Sequence, residues 1–305
     1  MKNAKVAAIV VTYNRKELLN QTLQAIMDQT YEVNKILIVD NASTDGTQQL
    51  LEKWKKSFPS KLSVIRLEEN IGGAGGFYKG IKSSICSEHF DWLWLMDDDA
   101  IPSKNALESL LKFYESFPAE KRKKIGVLHN KRIYDKAWFE ENNGKNFPLK
   151  AKKRRLATFV GFLIKTEVVE KVGFPRKDFF IYGDDIEYGF RIQRFGYKVL
   201  TVMGSYIYHP HWPPPLEYIF KKHSLVKKGV IKIAPWRYYY VFRNGMLMFE
   251  LQPFKRFFVL LYELFDLLTW FTIDKTTAKF ALRGLKDGLK GIRGKIIQPG
   301  QKDLS

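Results

Sequence analysis

Four short apolar runs, Val6–Val11, Lys35–Val39, Leu62–Leu67 and Phe90–Met96, constrain what this chain can fold into more than any other feature. Their length and their content of β-branched and aromatic residues predict buried strands. Between them lie segments of helical spacing: Leu18, Leu19, Leu23 and Ile26 predict a helix over 17–27, and further helices are predicted over 48–56 and 77–84. Strands that alternate with helices through short connections build a mostly parallel α/β sheet, and such sheets bind ligands outside the carboxyl ends of their strands. Polar tracts collect at that edge: Thr12-Tyr13-Asn14-Arg15 after the first run, Asp40 to Thr47 after the second, Asn70 to Gly76 after the third and Asp97-Asp98-Asp99 after the fourth.

Three adjacent carboxylates repel one another, and the arrangement is tolerated most easily where a divalent cation or cationic ligand neutralises it. The plainer alternative is a solvated turn capping the helix expected after Pro102. A carboxylate at Asp40 can accept hydrogen bonds from a base or ribose, while Arg15 can pair with phosphate. Gly72, Gly73, Gly75 and Gly76 let the backbone approach a ligand near a helix start, although no Gly-Lys-Ser/Thr follows and a P-loop is excluded. A second acidic group, Asp184-Asp185-Ile186-Glu187, leads into a predicted helix from Tyr188 to Phe195. Two such clusters in one sheet domain suit a division of labour between metal binding and general base, with His209 or His211 as an added imidazole ligand.

Charge divides the chain. Residues 1–117 carry 14 Lys and Arg against 15 Asp and Glu, whereas residues 118–305 carry 37 against 17. That asymmetry points to a small-ligand domain joined to a region that meets an anionic surface. Cys86 is the one cysteine, so no intrachain disulfide forms and a reduced, cytosolic thiol is expected. The apolar run before Thr12 is too short for a signal-peptide core, and no uncharged stretch approaches the roughly 20 residues of a spanning helix. Residues 121–155 are polar, basic and predicted to be a flexible excursion. The Pro-rich tract after His209 predicts a boundary, giving domains over 1–215 and 216–305.

The basic C-terminal region, with 17 Lys and Arg against 7 Asp and Glu over 217–305, includes Lys221, Lys222, Lys227 and Lys228. Residues 257–271 are apolar but interrupted by Glu263 and Asp266, which predicts a buried or interfacial helix. Leu282, Leu285, Leu289 and Ile292 recur beside Arg283, Lys286, Lys290 and Arg293, the pattern of a basic amphipathic helix suited to anionic lipid. A helical subdomain with a solvated basic face is the alternative.

The ordered set Val10-Val11-Thr12-Tyr13-Asn14-Arg15, Val39-Asp40-Asn41-Ala42-Ser43-Thr44-Asp45-Gly46-Thr47, Asn70 to Phe77, Trp94-Leu95-Met96-Asp97-Asp98-Asp99 and Phe180 to Tyr188 resembles family 2 inverting glycosyltransferases of the GT-A fold, over about residues 5–212. Within that family the glycine loop and the Asp-Asp-x-Glu block are most similar to galactofuranosyltransferases, with rhamnosyltransferases close behind. The segment Arg237 to Asn244 also resembles one that follows the catalytic domain in these enzymes. One departure is Gly183, where many relatives carry Trp.

The resemblance implies a Rossmann-like GT-A domain with a mainly helical C-terminal region, and an inverting, metal-dependent transferase. It implies donor contacts from Thr12, Arg15, Asp40, Asn70, Gly72, Gly73 and Asp98, and Mn2+ or Mg2+ held by Asp97, Asp99 and His209. Asp185 matches the catalytic base, with Glu187 and Asp184 beside it. Expected partners are a UDP-sugar, UDP-galactofuranose first, or a dTDP-sugar such as dTDP-rhamnose, and a lipid-linked glycan or polysaccharide acceptor at the inner face of the cell membrane. A homo-oligomer is left open. A nucleic-acid binder, favoured by the basic charge and by Tyr238–Tyr240 beside Arg237 and Arg243, leaves both acidic clusters unexplained. A non-catalytic sugar-nucleotide-binding protein would have lost an acid, and every acid the chemistry needs is present.

Overall fold

The computed structural model describes residues 4–153, 156–210 and 233–303. His211 and the lysines at 221, 222, 227 and 228 lie outside them. The chain forms two compact units, one of Met1–Pro175 with Tyr188–Trp212 and the other of Arg176–Glu187 with Pro213–Ser305.

The first unit is an α/β sheet layered by helices. Its strands are β1 (Val6–Thr12), β2 (Lys35–Asp40), β3 (Leu62–Arg66), β4 (Trp92–Asp97), β5 (Ile101–Pro102), β6 (Ile125–Ile133), β7 (Lys150–Lys153), β8 (Phe162–Lys165) and β9 (Lys198–Tyr208). They hydrogen-bond in the order β3-β2-β1-β4-β8-β6-β9-β5, with β7 paired to β9. β1 runs parallel to β2 and β4, β2 parallel to β3, and β8 lies antiparallel between β4 and β6.

Strand alternation explains why both faces are covered. Val6, Ala8 and Val10 of β1, with Trp92, Trp94 and Met96 of β4, face one apolar layer that includes Leu19 and Leu23 of α1 (Lys16–Met27), Leu51 of α2 (Thr47–Ser57) and Leu107. Ala7, Ile9, Val11, Leu93 and Leu95 face the other, with Phe77 and Ile81 of α3 (Gly72–Ser87). A strand apolar on both sides is what a sheet sandwiched by helices requires. The remaining helices of this part of the chain are α4 (Ala106–Glu115), α5 (Ala119–Lys123), α6 (Lys136–Asn142), α7 (Thr166–Val172) and α8 (Asp184–Arg194).

Two expectations are corrected. Residues 121–155 are no loose excursion, for β6 and β7 both join the sheet there. The buried polar residues of β6 find distant partners: Asn130 accepts from Trp94 Nε1 at 3.1 Å and donates to Ser205 Oγ at 2.6 Å. The third helix begins at Gly72, five residues earlier than expected, because its glycines are packing residues. A Cβ at Gly76 would lie 2.5 Å from Val11 Cγ1, and one at Gly80 would lie 2.5 Å from Ile9 Cγ2, so only glycine lets α3 lie this close to β1.

Among the described residues, the second unit contains the turn Lys177–Phe179 and the acids that open α8, together with the helices α9 (Pro235–Met248), α10 (Pro253–Ile273) and α11 (Lys275–Leu289). Gly284 and Gly288 of α11 lie directly against the backbone of Tyr239 and Arg243 in α9, leaving no room for a side chain. Among the described residues no helix is long and apolar enough to cross a membrane.

Candidate active site

The parallel register brings three strand ends level. Thr12 stands opposite Asp40, and Val11 opposite Asp97, so the tracts after β1, β2 and β4 share one carboxyl edge. The first two are latched together: Asn14, at φ +52°, accepts from Thr44 N at 2.7 Å, and Ser43 Oγ accepts from Asn14 N at 3.0 Å. Asp40 is buried, accepting from Ser43 N at 2.9 Å and pairing with Arg66 Nη1 at 2.5 Å. Arg66 ends β3 opposite Asp40 and was missed from sequence; a basic residue at the carboxyl end of the third strand was the available signal.

Asp98 is the anchor of the acidic triplet. It accepts from Thr12 Oγ1 at 2.8 Å, from Tyr13 N at 3.3 Å and from Arg15 Nη1 at 3.3 Å. Arg15 Nη1 also lies 2.5 Å from Asp99 Oδ2. Thr12, Arg15 and Asp98, all expected at the donor, are thus brought together and bonded to one another. Asn70 accepts from Gly72 N at 2.8 Å at the start of α3, and a Cβ on Gly73 would meet nothing within 4 Å, so the backbone there is approachable.

Asp97, Asp99 and His209 converge, each offering a ligand atom within 4.8 Å of the others. His209 Nε2 lies 3.2 Å from Asp99 Oδ1. β9 delivers His209, since Tyr208 closes the strand opposite Ile101, two residues past Asp99. The electrostatics show what the cluster lacks. Burial, reinforced by Asp99, pushes the Asp97 carboxyl up to about 7 despite His209, and burial pushes Asp98 up to about 6 despite Arg15. Burial alone would lower the His209 and Arg15 pKa values, yet the neighbouring carboxylates, Asp99 first, hold both above their ordinary values. Acids driven toward protonation beside an imidazole drawn toward protonation form a site short of positive charge. Two carboxylate oxygens and one imidazole nitrogen fit a divalent cation such as Mn2+, for which a nitrogen donor is more congenial than for Mg2+.

The second acidic block belongs to the second unit. Asp184 and Glu187 are buried and Asp185 partly exposed, all in the first turn of α8, where a helix N-terminus favours carboxylates. The approach to that turn is backbone that side chains resist: Phe180 and Tyr182 both have φ +64°, followed by Gly183 at +86°. Two residues of α9 hold it. Asn244 Nδ2 lies 3.0, 2.8 and 2.7 Å from the carbonyls of Phe179, Ile181 and Tyr182, and the fully buried Arg243 donates to Phe179 O at 2.8 Å. The sequence marked this segment by resemblance but gave it no role; contacts 62 to 65 residues apart carry no local signal.

The family model described as glycosyl transferase family 2 matches residues 7–173. Galactofuranosyltransferase GlfT1 of Mycolicibacterium smegmatis is 26% identical over 223 residues, covering 67% of this chain and 70% of that protein. The dTDP-rhamnosyl transferase RfbG of Shigella flexneri is 27% identical over 172 residues, 52% of this chain and 58% of its own. Among solved structures, mannosyltransferase PcManGT from Pyrobaculum calidifontis, in complex with GDP-Man and Mn2+, aligns with a TM-score of 0.55 at 18% identity over 95% of this chain and 87% of that one. The sheet with its helical C-terminal region is therefore of the GT-A type.

Proposed function

The chain belongs to glycosyl transferase family 2, and from that premise we propose that it is an inverting, metal-dependent enzyme that moves galactofuranose from UDP-galactofuranose onto a lipid-linked or polysaccharide acceptor. That it is a glycosyltransferase follows from the family; the donor, the acceptor and the metal are our reading. The observation that carries it is the convergence of Asp97, Asp99 and His209 at the sheet edge where nucleotide-binding α/β proteins hold their ligands.

In this reading Thr12, Arg15 and Asp98 brace the metal-binding carboxylates, and Asp40, with Arg66 beside it, meets the base and ribose. The backbone at Gly72 and Gly73 borders the donor. Asp97, Asp99 and His209 would hold a divalent cation, which would supply positive charge to offset the negative charge that grows on the leaving diphosphate. Asp185 takes the proton from an acceptor hydroxyl, whose oxygen bonds to the anomeric carbon as the bond to the diphosphate oxygen breaks on the opposite face. The products are the inverted glycoside and a nucleoside diphosphate. Glu187 and Asp184 flank the base on the acceptor side. The acceptor's lipid anchor places the enzyme on the inner face of the cell membrane.

Similarity to GlfT1 favours galactofuranose, and that to RfbG makes rhamnose the second reading. Incubation with a panel of UDP- and dTDP-sugars and Mn2+, followed by nucleoside diphosphate release, separates them. Preference for UDP-galactofuranose supports the assignment, and preference for dTDP-rhamnose replaces it.

A further inference from the structure

α10 is built inside out. Its acids, Glu263 and Asp266, are buried with Leu267 and Trp270, while Phe254, Phe258, Leu261, Phe265 and Leu268 are between 48% and 75% exposed. The two stripes repeat at helical spacing on opposite sides, so the inversion belongs to the whole helix. Its cause is local. Gly245 of α9 has no side chain, and the Glu263 carboxylate occupies the space a Cβ would need. Trp270 packs on Tyr238 with ring centroids 4.6 Å apart, which fixes the rotation of α10 and turns the phenylalanines outward.

A continuous apolar stripe of this length exceeds what monomeric soluble proteins ordinarily leave in water. From Phe254 to Phe271 it runs about 26 Å at the helical rise, and it is not a crossing segment. Exposed basic residues bracket it: Lys255 at one end of α10, with Lys275 and Lys279 at the start of α11 beyond the other. The acids of α10 point away from this surface. Asp274, the acid beside Lys275, is engaged in capping α11 through Thr276 N and Thr277 Oγ1, so two copies stacked face to face would bring mainly like charges together, whereas an anionic bilayer supplies both an apolar layer and the opposite charge.

We propose that the outward face of α10 is the membrane-docking surface, lying flat in the interface of an anionic bilayer with its phenylalanines and leucines among the acyl chains. The basic helix α11, which the sequence put forward for this task, instead turns Leu285 inward and packs its glycines on α9. The docking face serves the lipid-linked acceptor proposed above and rests on that reading, so vesicle binding and turnover are to be measured separately.

The test is co-sedimentation of the full chain with phosphatidylcholine vesicles, with and without about one-third phosphatidylglycerol. The triple variant Phe258→Ser, Leu261→Ser, Phe265→Ser and the single variant Leu268→Glu remove apolar area from exposed positions, and unchanged melting temperatures verify folding. Wild type is expected to bind the anionic vesicles, the triple variant at least about 100-fold more weakly. Lys275→Gln with Lys279→Gln should lower binding by about tenfold or more. Equal binding of wild type and both α10 variants overturns the docking face and leaves the membrane reading intact. No binding by wild type overturns both, and a dimer that Leu268→Glu dissociates would assign the face to a second copy. If nucleoside diphosphate release from every sugar donor is absent while vesicle binding follows α10, the transferase assignment fails and the docking face stands.

Discussion

Asn244→Leu keeps roughly the volume of the side chain and removes the amide N–H groups that serve the carbonyls of Phe179, Ile181 and Tyr182. Phe180, at the centre of a γ-turn with φ +64° and ψ −69°, and Tyr182, at φ +64°, are strained and cost on the order of 1–3 kcal/mol each. Against that, an amide whose two N–H groups serve three buried or partly buried carbonyls contributes about 1–3 kcal/mol. The opposing quantities are similar, so without Asn244 the strained approach to α8 becomes a minority conformation. A loss of about 1.4–2.8 kcal/mol lowers the population that presents Asp185 correctly, and hence kcat, by about 10- to 100-fold. The donor-side residues belong to the other unit, so affinity for UDP with Mn2+ should hold within about twofold, a split that general unfolding would not produce. Steady-state turnover and calorimetric UDP binding give the two readings. A folded variant with kcat within about twofold of wild type would refute the role of Asn244.

His209→Ala should weaken Mn2+ more than Mg2+, by about 10- to 100-fold for Mn2+ in calorimetry, because the imidazole is the donor that Mn2+ prefers. In chelator, stability should fall as pH rises from about 4 to about 7: folded Asp97 and Asp98, at about 7 and about 6, hold protons that the unfolded chain, at 3.8, has released. The slope is at most about 1.4 kcal/mol per pH unit per proton, and saturating Mn2+ should flatten it; thermal melts across pH show either trend. Gly80→Ala should cost about 1–3 kcal/mol in urea unfolding through its collision with Ile9, whereas Gly73→Ala, with open space around it, should cost nothing or stabilise slightly.

The parallel half of the sheet was legible because β1 to β4 are buried on both faces and read as uninterrupted apolar runs. The strand ends followed, and with them Asp40, Asp97 and Asp99. What stayed hidden depended on partners distant in sequence. β6 carries His129, Asn130 and Arg132 in buried positions, and a strand whose polar residues bond to Trp94, Thr158 and Ser205 resembles a loop when read alone. The glycine tract looked like a ligand loop because glycine disfavours helices, yet tertiary packing on Ile9 and Val11 outweighs that propensity. At the C-terminus, the sequence showed α10 as an apolar helix interrupted by Glu263 and Asp266 and α11 as an amphipathic one. Which stripe faces inward was decided by Gly245, Gly284 and Gly288, single residues whose effect appears only once helices are apposed. Arg66 and Asn244 have the same character, since their roles exist only through Asp40 and through the Phe179–Tyr182 backbone.

Asp185→Asn tests the central claim most directly. The variant changes one oxygen to an amide group at the first turn of α8 and removes the capacity to accept a proton. Transfer from the preferred nucleotide sugar should fall at least about 1000-fold, while UDP binding with Mn2+ stays within about twofold of wild type. Turnover unimpaired by the substitution would contradict the assignment of the base, and with it the inverting mechanism built on Asp185.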